Sequence, residues 1–166
     1  MNYAQARNQI KSGDLVAFSH GSWKSWNDIK VNFVRMFCRS TYSHVGVCWV
    51  VGGRVLVLEA VKPRARIYPL SLEGDFYLLP MGAPWRAITE IFALDHIGEA
   101  YSELKAIQAF LAPLTAGDVS ECAAYVREVM LRDNINLGTR STPDSVVKAA
   151  QDLGAVLITV DNGGNK

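Results

Sequence analysis

The sequence lacks the segments that would tie it to a membrane or send it out of the cell. No stretch approaches the ~20 consecutive apolar residues that a membrane-spanning helix needs. The first 20 residues contain no apolar run of signal-peptide length. We therefore expect no stable membrane insertion and a cytoplasmic protein, with later release left open. Internal repeats and low-complexity segments are missing as well.

An excess of charge of either sign is also missing. The chain has 17 lysines and arginines against 16 acidic residues, which gives a formal net charge of +1. This balance gives no electrostatic reason to expect nucleic acid as a partner. Basic residues do gather between residues 24 and 66, ending with Arg64 and Arg66. We interpret them as a solvated face, with a patch for an anionic ligand as the alternative.

Cysteine is scarce. The three cysteines, Cys38, Cys48 and Cys122, are odd in number and form no C-x-x-C motif. A disulfide framework or a cysteine-rich zinc site is therefore not expected. Free thiols in a reducing compartment fit this pattern better.

What is present is an ordinary globular composition. Of the 166 residues, 49% are hydrophobic and 20% are charged. This length suits one domain with a substantial core. We predict a single domain over 1–160, followed by a flexible tail over 161–166.

Local patterns predict an α+β fold in which helices pack on an antiparallel sheet. Period-two and short apolar runs predict strands at 15–18, 43–51, 54–60, 65–71, 75–81 and 155–160. Apolar residues at helical spacing predict helices at 23–38, 95–112 and 120–132. A last helix begins after Thr142 as N-cap, with Pro143 in its first position, and ends at Gly154.

The segment 42–60, "YSHVGVCWVVGGRVLVLEA", predicts a hairpin with a known register. Its Gly52-Gly53 pair is the strongest short turn signal in the chain. A two-residue loop pairs Val51 with Arg54, so the numbers of facing residues add up to the same total along both strands. A three-residue loop would turn one strand over and send its side chains to the other face.

This register brings an imidazole and a carboxylate together. Gly46 faces Glu59, and His44 lies two residues further along the same face, so His44 and Glu59 are diagonal neighbours at roughly 7–8 Å. We expect Gly46, which has no side chain, to leave the space between them open. Such a carboxylate can fix the tautomer of the ring and stabilise the imidazolium. Alternatively, each polar group only satisfies a buried partner.

Cys122 is the candidate nucleophile. It falls in the first turn of the 120–132 helix whether Asp118 or Ser120 is the N-cap. There the positive end of the helix dipole lowers the pKa of a thiol. The helical spacing directs the thiol inward against the sheet, so a small buried core cysteine is the alternative.

Other pairs of thiol and base fit less well. Cys48 lies four residues from His44 on one strand, roughly 13 Å away. Cys38 is better explained by packing at a helix end. His20 and His96 remain alternative bases, but no carboxylate is placed beside either one by register.

Several motifs in order resemble the permuted NlpC-type papain-fold cysteine hydrolases, the YiiX/YebB-like group. The matching segments are "GDLVAF" (13–18), "YSHVGV" (42–47), a strand ending in Glu59, "ECAAYV" (121–126) and "TPDSVVKAA" (142–150). The resemblance implies a circularly permuted papain-like fold, with Cys122 as nucleophile, His44 as base and Glu59 orienting the imidazole. Ala123 stands where this group often has serine, and the segment 23–38 is longer than expected.

We therefore expect a cysteine hydrolase that cleaves an amide bond, in a peptide or cell-wall peptide, through an acyl-enzyme. The backbone N–H of Cys122 is the expected oxyanion donor. No metal and no cofactor are expected. The alternatives are a lipid acyltransferase or thioesterase with the same triad, a binding module that keeps the fold, and a zinc site of His44, Glu59 and Cys122.

Overall fold

One antiparallel sheet of six strands organises the described part of the chain. The computed structural model describes residues 1–19, 41–61, 63–82, 85–100 and 120–163. Within these ranges the strand order across the sheet is β4-β3-β2-β1-β5-β6. The strands are β1 Leu15–Phe18, β2 His44–Val51, β3 Arg54–Val61, β4 Arg64–Pro69, β5 Phe76–Leu79 and β6 Ile158–Val160.

Helices flank this sheet. They are α1 Tyr3–Ala6, α2 Ala87–Asp95, α3 Glu121–Arg132 and α4 Pro143–Asp152, with a 3-10 turn at Leu70–Leu72. The predicted α+β architecture is confirmed by these elements. Among the helices in the described ranges, none combines the length and the apolar character that a bilayer crossing requires.

The β2–β3 hairpin has the predicted loop and register. Gly52 and Gly53 both adopt positive φ, at 56° and 73°, which is the backbone that a two-residue hairpin turn of this kind needs. Val51 faces Arg54, and the pairing continues without a bulge to Val47 and Leu58. The strand positions of His44 and Glu59 follow directly from this turn.

The core has two layers, one on each face of the sheet. On one face, Val45, Val47 and Leu58 pack with Val126 and Val129 of α3. On the other face lies a second cluster, which includes Val16, Cys48, Val57, Phe76 and Val160. A fully buried side chain of this size contributes about 1.5–3 kcal/mol relative to an exposed one. The first layer fixes α3, which carries Cys122, against β2 and β3.

The sequence left Asp118 and Ser120 as alternative N-caps of α3, whereas the single N-cap predicted for α4 is confirmed. Ser120 is the N-cap of α3. Thr142 is the N-cap of α4, its side chain accepts the N–H of Ser145, and Pro143 opens the helix. Gly154 follows α4 with a φ of 98°, as a glycine after a helix end does.

The helix predicted at 95–112 is wrong at its start. Residue 95 instead ends α2, residues 96–98 form a turn, and Ala100 makes an isolated bridge to Arg64. Sequence signals missed α2 because its N-cap, Arg86, makes no side-chain capping bond. Tertiary contacts hold this end: the Thr89 hydroxyl donates to Asp133 Oδ1 at 2.7 Å, and Arg86 Nε donates to the same atom at 2.8 Å. Residues 101–112, and the helix predicted at 23–38, lie outside the described residues.

Two strand ends differ from expectation, and residues near both ends of the chain make hydrogen bonds to the domain. The strand predicted at 65–71 ends at Pro69, and the last strand begins only at Ile158. The amino group of Met1 donates to the carbonyl of Thr159 at 2.9 Å. The side-chain amide of Asn162 donates to two backbone carbonyls, at 3.0 and 2.7 Å. This part of the expected loose tail is therefore hydrogen-bonded to the domain.

Candidate active site

The imidazole and the carboxylate meet as the hairpin register requires. His44 is the first residue of β2, and its Nε2 lies 2.6 Å from Glu59 Oε2 on β3. Glu59 is buried, with 1% of its surface exposed. The His44 ring also packs against the Phe18 ring, with 5.8 Å between centroids. Glu59 is thus enclosed, whereas the His44 side chain keeps 20% of its surface exposed.

Arg66 completes the coordination of this carboxylate. It faces Glu59 across the β3–β4 pair. Its Nε and Nη2 lie 2.7 and 2.6 Å from Glu59 Oε1. Sequence reasoning grouped Arg66 with a solvated basic face and missed this contact. A signal existed, because a two-residue connection between Val61 and Arg64 sets Glu59 opposite Arg66.

These contacts set the charges of the pair. Burial raises the pKa of Glu59, but hydrogen bonds and charges from His44 and Arg66 outweigh it, so the pKa lies below its usual range. Burial lowers the pKa of His44, yet the Cys122 sulfur and the Glu59 carboxylate raise it to about 10. The site therefore favours an imidazolium beside an ionised carboxylate.

Cys122 interacts with His44, and each group shifts the pKa of the other. Burial raises the pKa of this thiol, but the charge and hydrogen bond of His44, the Ser120 hydroxyl and the N–H of Val45 lower it overall. Ser120 Oγ is 2.7 Å from the sulfur. Because Glu59 occupies Nε2 of the ring, Nδ1 is the nitrogen that remains for the thiol. The three predicted side chains thus form one connected group.

The residue that begins α3 contacts the thiol instead of capping the helix with its side chain. Ser120 is the N-cap, yet its side chain makes no capping bond and contacts the sulfur instead. Its backbone N–H donates to the carbonyl of Ser141 at 2.7 Å, which anchors the helix start. Cys122 lies in the first turn of α3, where the backbone N–H groups have no intrahelical acceptor.

A second anchor fixes the chain that leads into His44. The carboxylate of Asp144, in the first turn of α4, accepts the N–H of Thr41 at 3.0 Å and that of Tyr42 at 3.2 Å. The N–H of Ser43 donates to the carbonyl of Phe18 at 2.8 Å. The base and the thiol are therefore both held by backbone contacts to neighbouring elements.

The expectation about Gly46 is wrong in one respect. A β-carbon there would lie 2.4 Å from Val57 Cγ2 and 3.5 Å from the β-carbon of Glu59. The missing side chain does not leave an open space, because Val57 occupies it. Gly46 instead lets β3 pack closely against β2 next to the carboxylate.

The alternative residues are placed elsewhere. Cys48 is fully buried, and burial raises its pKa well above the usual value. His96 engages the carbonyl of Phe92 through Nδ1 at 2.6 Å, one turn back on its own helix. His20 and Cys38 lie outside the described residues.

Comparison with known proteins supports the fold. No model of a known protein family matches the chain, and no curated protein matches its sequence. Among solved structures it is similar to the metalloprotein yiiX of Escherichia coli O157:H7, with a TM-score of 0.53 and 17% identity. The match covers 78% of this chain and 70% of that protein. At this identity the likeness concerns the arrangement of strands and helices alone.

Proposed function

We propose that the protein is a cysteine hydrolase of acyl bonds, most directly amides, built on a circularly permuted papain-like (NlpC-type) fold. One observation carries the proposal: Glu59 holds the His44 imidazole at 2.6 Å, and this imidazole lowers the pKa of the buried Cys122 thiol in the first turn of α3. A nucleophile, a base and an orienting carboxylate are the minimum set for this chemistry. The similarity to yiiX is consistent with such a fold.

Each side chain has a defined part in the reaction. The thiol proton resides on His44, and the Cys122 thiolate attacks the carbonyl carbon to form a tetrahedral oxyanion. The N–H of Cys122 donates to that oxyanion. As the C–N bond breaks, the imidazolium gives its proton to the leaving amine. Water then attacks the thioester, His44 takes its proton, and the carboxylic acid leaves while the thiol is restored.

The identity of the acyl group and of the acceptor is a further part of the proposal. We favour a peptide or peptidoglycan-peptide amide, on the resemblance of the motifs around His44 and Cys122. A lipid acyltransferase or a thioesterase would form the same acyl-enzyme and differ only in its acyl donor or acceptor. The test must therefore separate formation of the acyl-enzyme from its fate.

A metal centre fits these residues poorly, although yiiX, whose fold the chain resembles, is a metalloprotein. In this chain the metal ligands would be Cys122, His44 and Glu59. Oε1 of Glu59, however, accepts from the guanidinium of Arg66. A cation there would face a fixed positive charge. Within the described ranges, no group of three or more histidine, cysteine or acidic side chains is arranged to hold a metal ion.

The test of the proposed function is acylation by an activated ester. The protein, Cys122→Ala and Cys48→Ala are mixed with p-nitrophenyl acetate, and nitrophenolate release is followed alongside intact-protein mass. We expect a burst of about one equivalent, with the acetyl group mapped to Cys122, in the protein and in Cys48→Ala only. Acetylation of another residue, or no burst at all, would contradict the proposal.

Acceptors and donors are then varied to place the enzyme within its class. Peptide amides, thioesters and phospholipid esters are offered as donors, with water alone or with an added amine or lysophospholipid as acceptor. Turnover of amides to free acid supports the amide hydrolase. Faster transfer to an added acceptor would replace it with the acyltransferase. Acylation without any turnover would favour a binding module.

A further inference from the structure

We propose that Arg66 is a positioning residue of this site: it fixes the Glu59 carboxylate, which in turn aims the His44 imidazole at Cys122. The inference rests on the proposed function, because positioning matters only if the thiol and the imidazole react. Neither the charge pattern nor the motif resemblance assigns Arg66 a role. Arg66 lies on β4 and faces Glu59 across the sheet.

Both oxygens of Glu59 are committed, one to each neighbour. Oε2 contacts His44 Nε2 at 2.6 Å, and Oε1 accepts from Arg66 Nε at 2.7 Å. Two nitrogens of the guanidinium approach the same oxygen, the second at 2.6 Å. The carboxylate side chain keeps only 2% of its surface exposed, so water does not replace these partners. Its rotation is therefore controlled by Arg66 from one side and by His44 from the other.

Removal of Arg66 would leave a buried carboxylate with one partner. Burial disfavours the charged form of a carboxyl group, and an adjacent guanidinium offsets that cost. A carboxylate free to rotate away from Nε2 would neither orient the imidazole nor stabilise the imidazolium. Lysine would keep the charge, yet it would lose the planar pair of N–H groups that point to one oxygen.

The guanidinium is itself constrained, which separates it from a mobile surface ion pair. It lies over the ring of Tyr68, 4.4 Å from the centroid, and its Nη2 is 3.4 Å from Glu73 Oε1. In the described part of the chain, the charged groups that act on His44 and Glu59 are Cys122 from α3, Arg66 from β4 and Glu73 after the 3-10 turn. Within the described ranges, a change in the titration of His44 acts through these groups.

The experiment compares Arg66→Gln and Arg66→Lys with the matched control Arg64→Gln. Arg64 lies on the same strand, but its guanidinium donates to the carbonyl of Gly98 rather than to Glu59. Two readouts are taken on each full-length protein. NMR titration gives the pKa of the His44 imidazole, and iodoacetamide labelling with mass mapping gives the rate at Cys122 as a function of pH.

We expect Arg66→Gln to lower the pKa of His44 by about one unit or more and to slow Cys122 labelling at pH 7 by about tenfold. Arg66→Lys should recover part of both, and Arg64→Gln should match the unmodified protein. Unchanged titration and labelling in Arg66→Gln would overturn the inference and leave an ordinary ion pair. If Arg66→Gln does not fold, Arg66→Lys decides, because labelling equal to that of the unmodified protein contradicts the role of the paired N–H groups.

A further variant separates this inference from the proposed function. His44→Ala removes the base itself and leaves Arg66 paired with Glu59. If His44→Ala labels as fast as the unmodified protein, the proposed function fails. If His44→Ala labels slowly while Arg66→Gln labels normally, only the positioning role of Arg66 fails.

Discussion

Two thiols in this protein are equally hidden from water and yet differ in their acidity. Cys48, in the middle of β2, has none of its surface exposed, and Cys122, at the start of α3, has 3% exposed. Burial raises the pKa of Cys48, and Asp14 raises it further. At Cys122 burial acts in the same direction, but the contacts with His44, Ser120 and the N–H of Val45 reverse the result.

At these two thiols, hydrogen-bond and charge partners, rather than exposure, decide the direction of the pKa shift. Cys48 lies among apolar side chains such as Val57 and Phe76. Such an environment favours the neutral thiol. Cys122 has an apolar layer on one side and three polar partners on the other. The molecule thus contains its own internal control for the chemistry of a buried sulfur.

The largest effect on activity should appear when each of the two cysteines is replaced by alanine in turn. Cys122→Ala should lower ester hydrolysis by roughly 10³-fold or more, because the nucleophile is lost. Cys48→Ala should leave the rate within about twofold, although loss of a buried group should lower its Tm. Hydrolysis assays and thermal melts on both variants check this. Equal losses of activity would erase the distinction between the two sites.

Removal of the base should bring Cys122 closer to Cys48 in behaviour. His44→Ala should lower activity by about 10²–10³-fold, a typical contribution of a positioned base. The pH dependence of labelling at Cys122 should then move toward that of an ordinary thiol. His96→Ala serves as the matched control, since the hydrogen bond that His96 makes within the described residues goes to a carbonyl of its own helix. If His96→Ala loses activity and His44→Ala does not, His44 is not the base.

The carboxylate should matter through the ring it holds. Glu59→Gln keeps the size of the side chain but removes its charge, so the pKa of His44 should fall by about one unit and the rate at pH 7 by about tenfold. Activity profiles against pH, with NMR titration of His44, measure both. A profile that matches the unmodified protein would show that Glu59 only fills space.

A smaller effect should follow from the hydroxyl beside the sulfur. Ser120→Ala removes a contact of 2.7 Å, so labelling of Cys122 at neutral pH should slow by about fivefold, or roughly 1 kcal/mol. Stability should change by less than about 0.5 kcal/mol, because this serine makes no capping bond. Thr142→Ala in α4, whose side chain does cap, should cost about 1 kcal/mol in a urea titration. If Ser120→Ala destabilises as much as Thr142→Ala, the hydroxyl acts as a cap.

The smallest effect concerns stability against pH. In the folded state the pair keeps one proton, because the pKa of His44 rises from 6.5 to about 10 and the pKa of Cys122 falls. Below pH 6.5 the unfolded pair binds more protons, so stability should fall as pH falls. Above about pH 8.5, where a free thiol ionises, the folded pair binds more, so stability should fall as pH rises. Between these limits the two shifts cancel.

Urea titrations from pH 5 to pH 10 on the unmodified protein and on Cys122→Ala test this shape. The unmodified protein should show a plateau between about pH 6.5 and pH 8.5 relative to the variant. A steady decline through that range would mean that His44 titrates without its thiol partner. Glu59 adds a further loss in acid, since its pKa lies below the usual value in the folded state.

The predictable part of the site depended on local signals with fixed geometry. The Gly52-Gly53 turn predicts the register that β2 and β3 adopt. This register in turn predicts that His44 lies beside Glu59. The first turn of α3 was readable from its cap residues. Both inferences use rules that act within a few residues, so the rest of the fold could not disturb them.

The missed part depends on contacts between distant elements. The contact between Arg66 and Glu59 was missed because the turn before β4 lacks a glycine pair, so the sequence gives no strong signal for the register of β3 and β4. Helix α2 was missed because Asp133, at the end of α3, supplies contacts that its own sequence lacks. The hydroxyl of Ser120 could cap α3 or contact a neighbouring group. The nearby sulfur of Cys122 explains why it does the second.

Iodoacetamide labelling across pH, with mass mapping of each cysteine, tests the central claim most directly. We predict that Cys122 is labelled first, with an apparent pKa below that of a free thiol, and that Cys48 stays unlabelled until the protein unfolds. Preferential labelling of Cys48 or Cys38 in the folded protein, or an ordinary thiol titration at Cys122, would contradict the account.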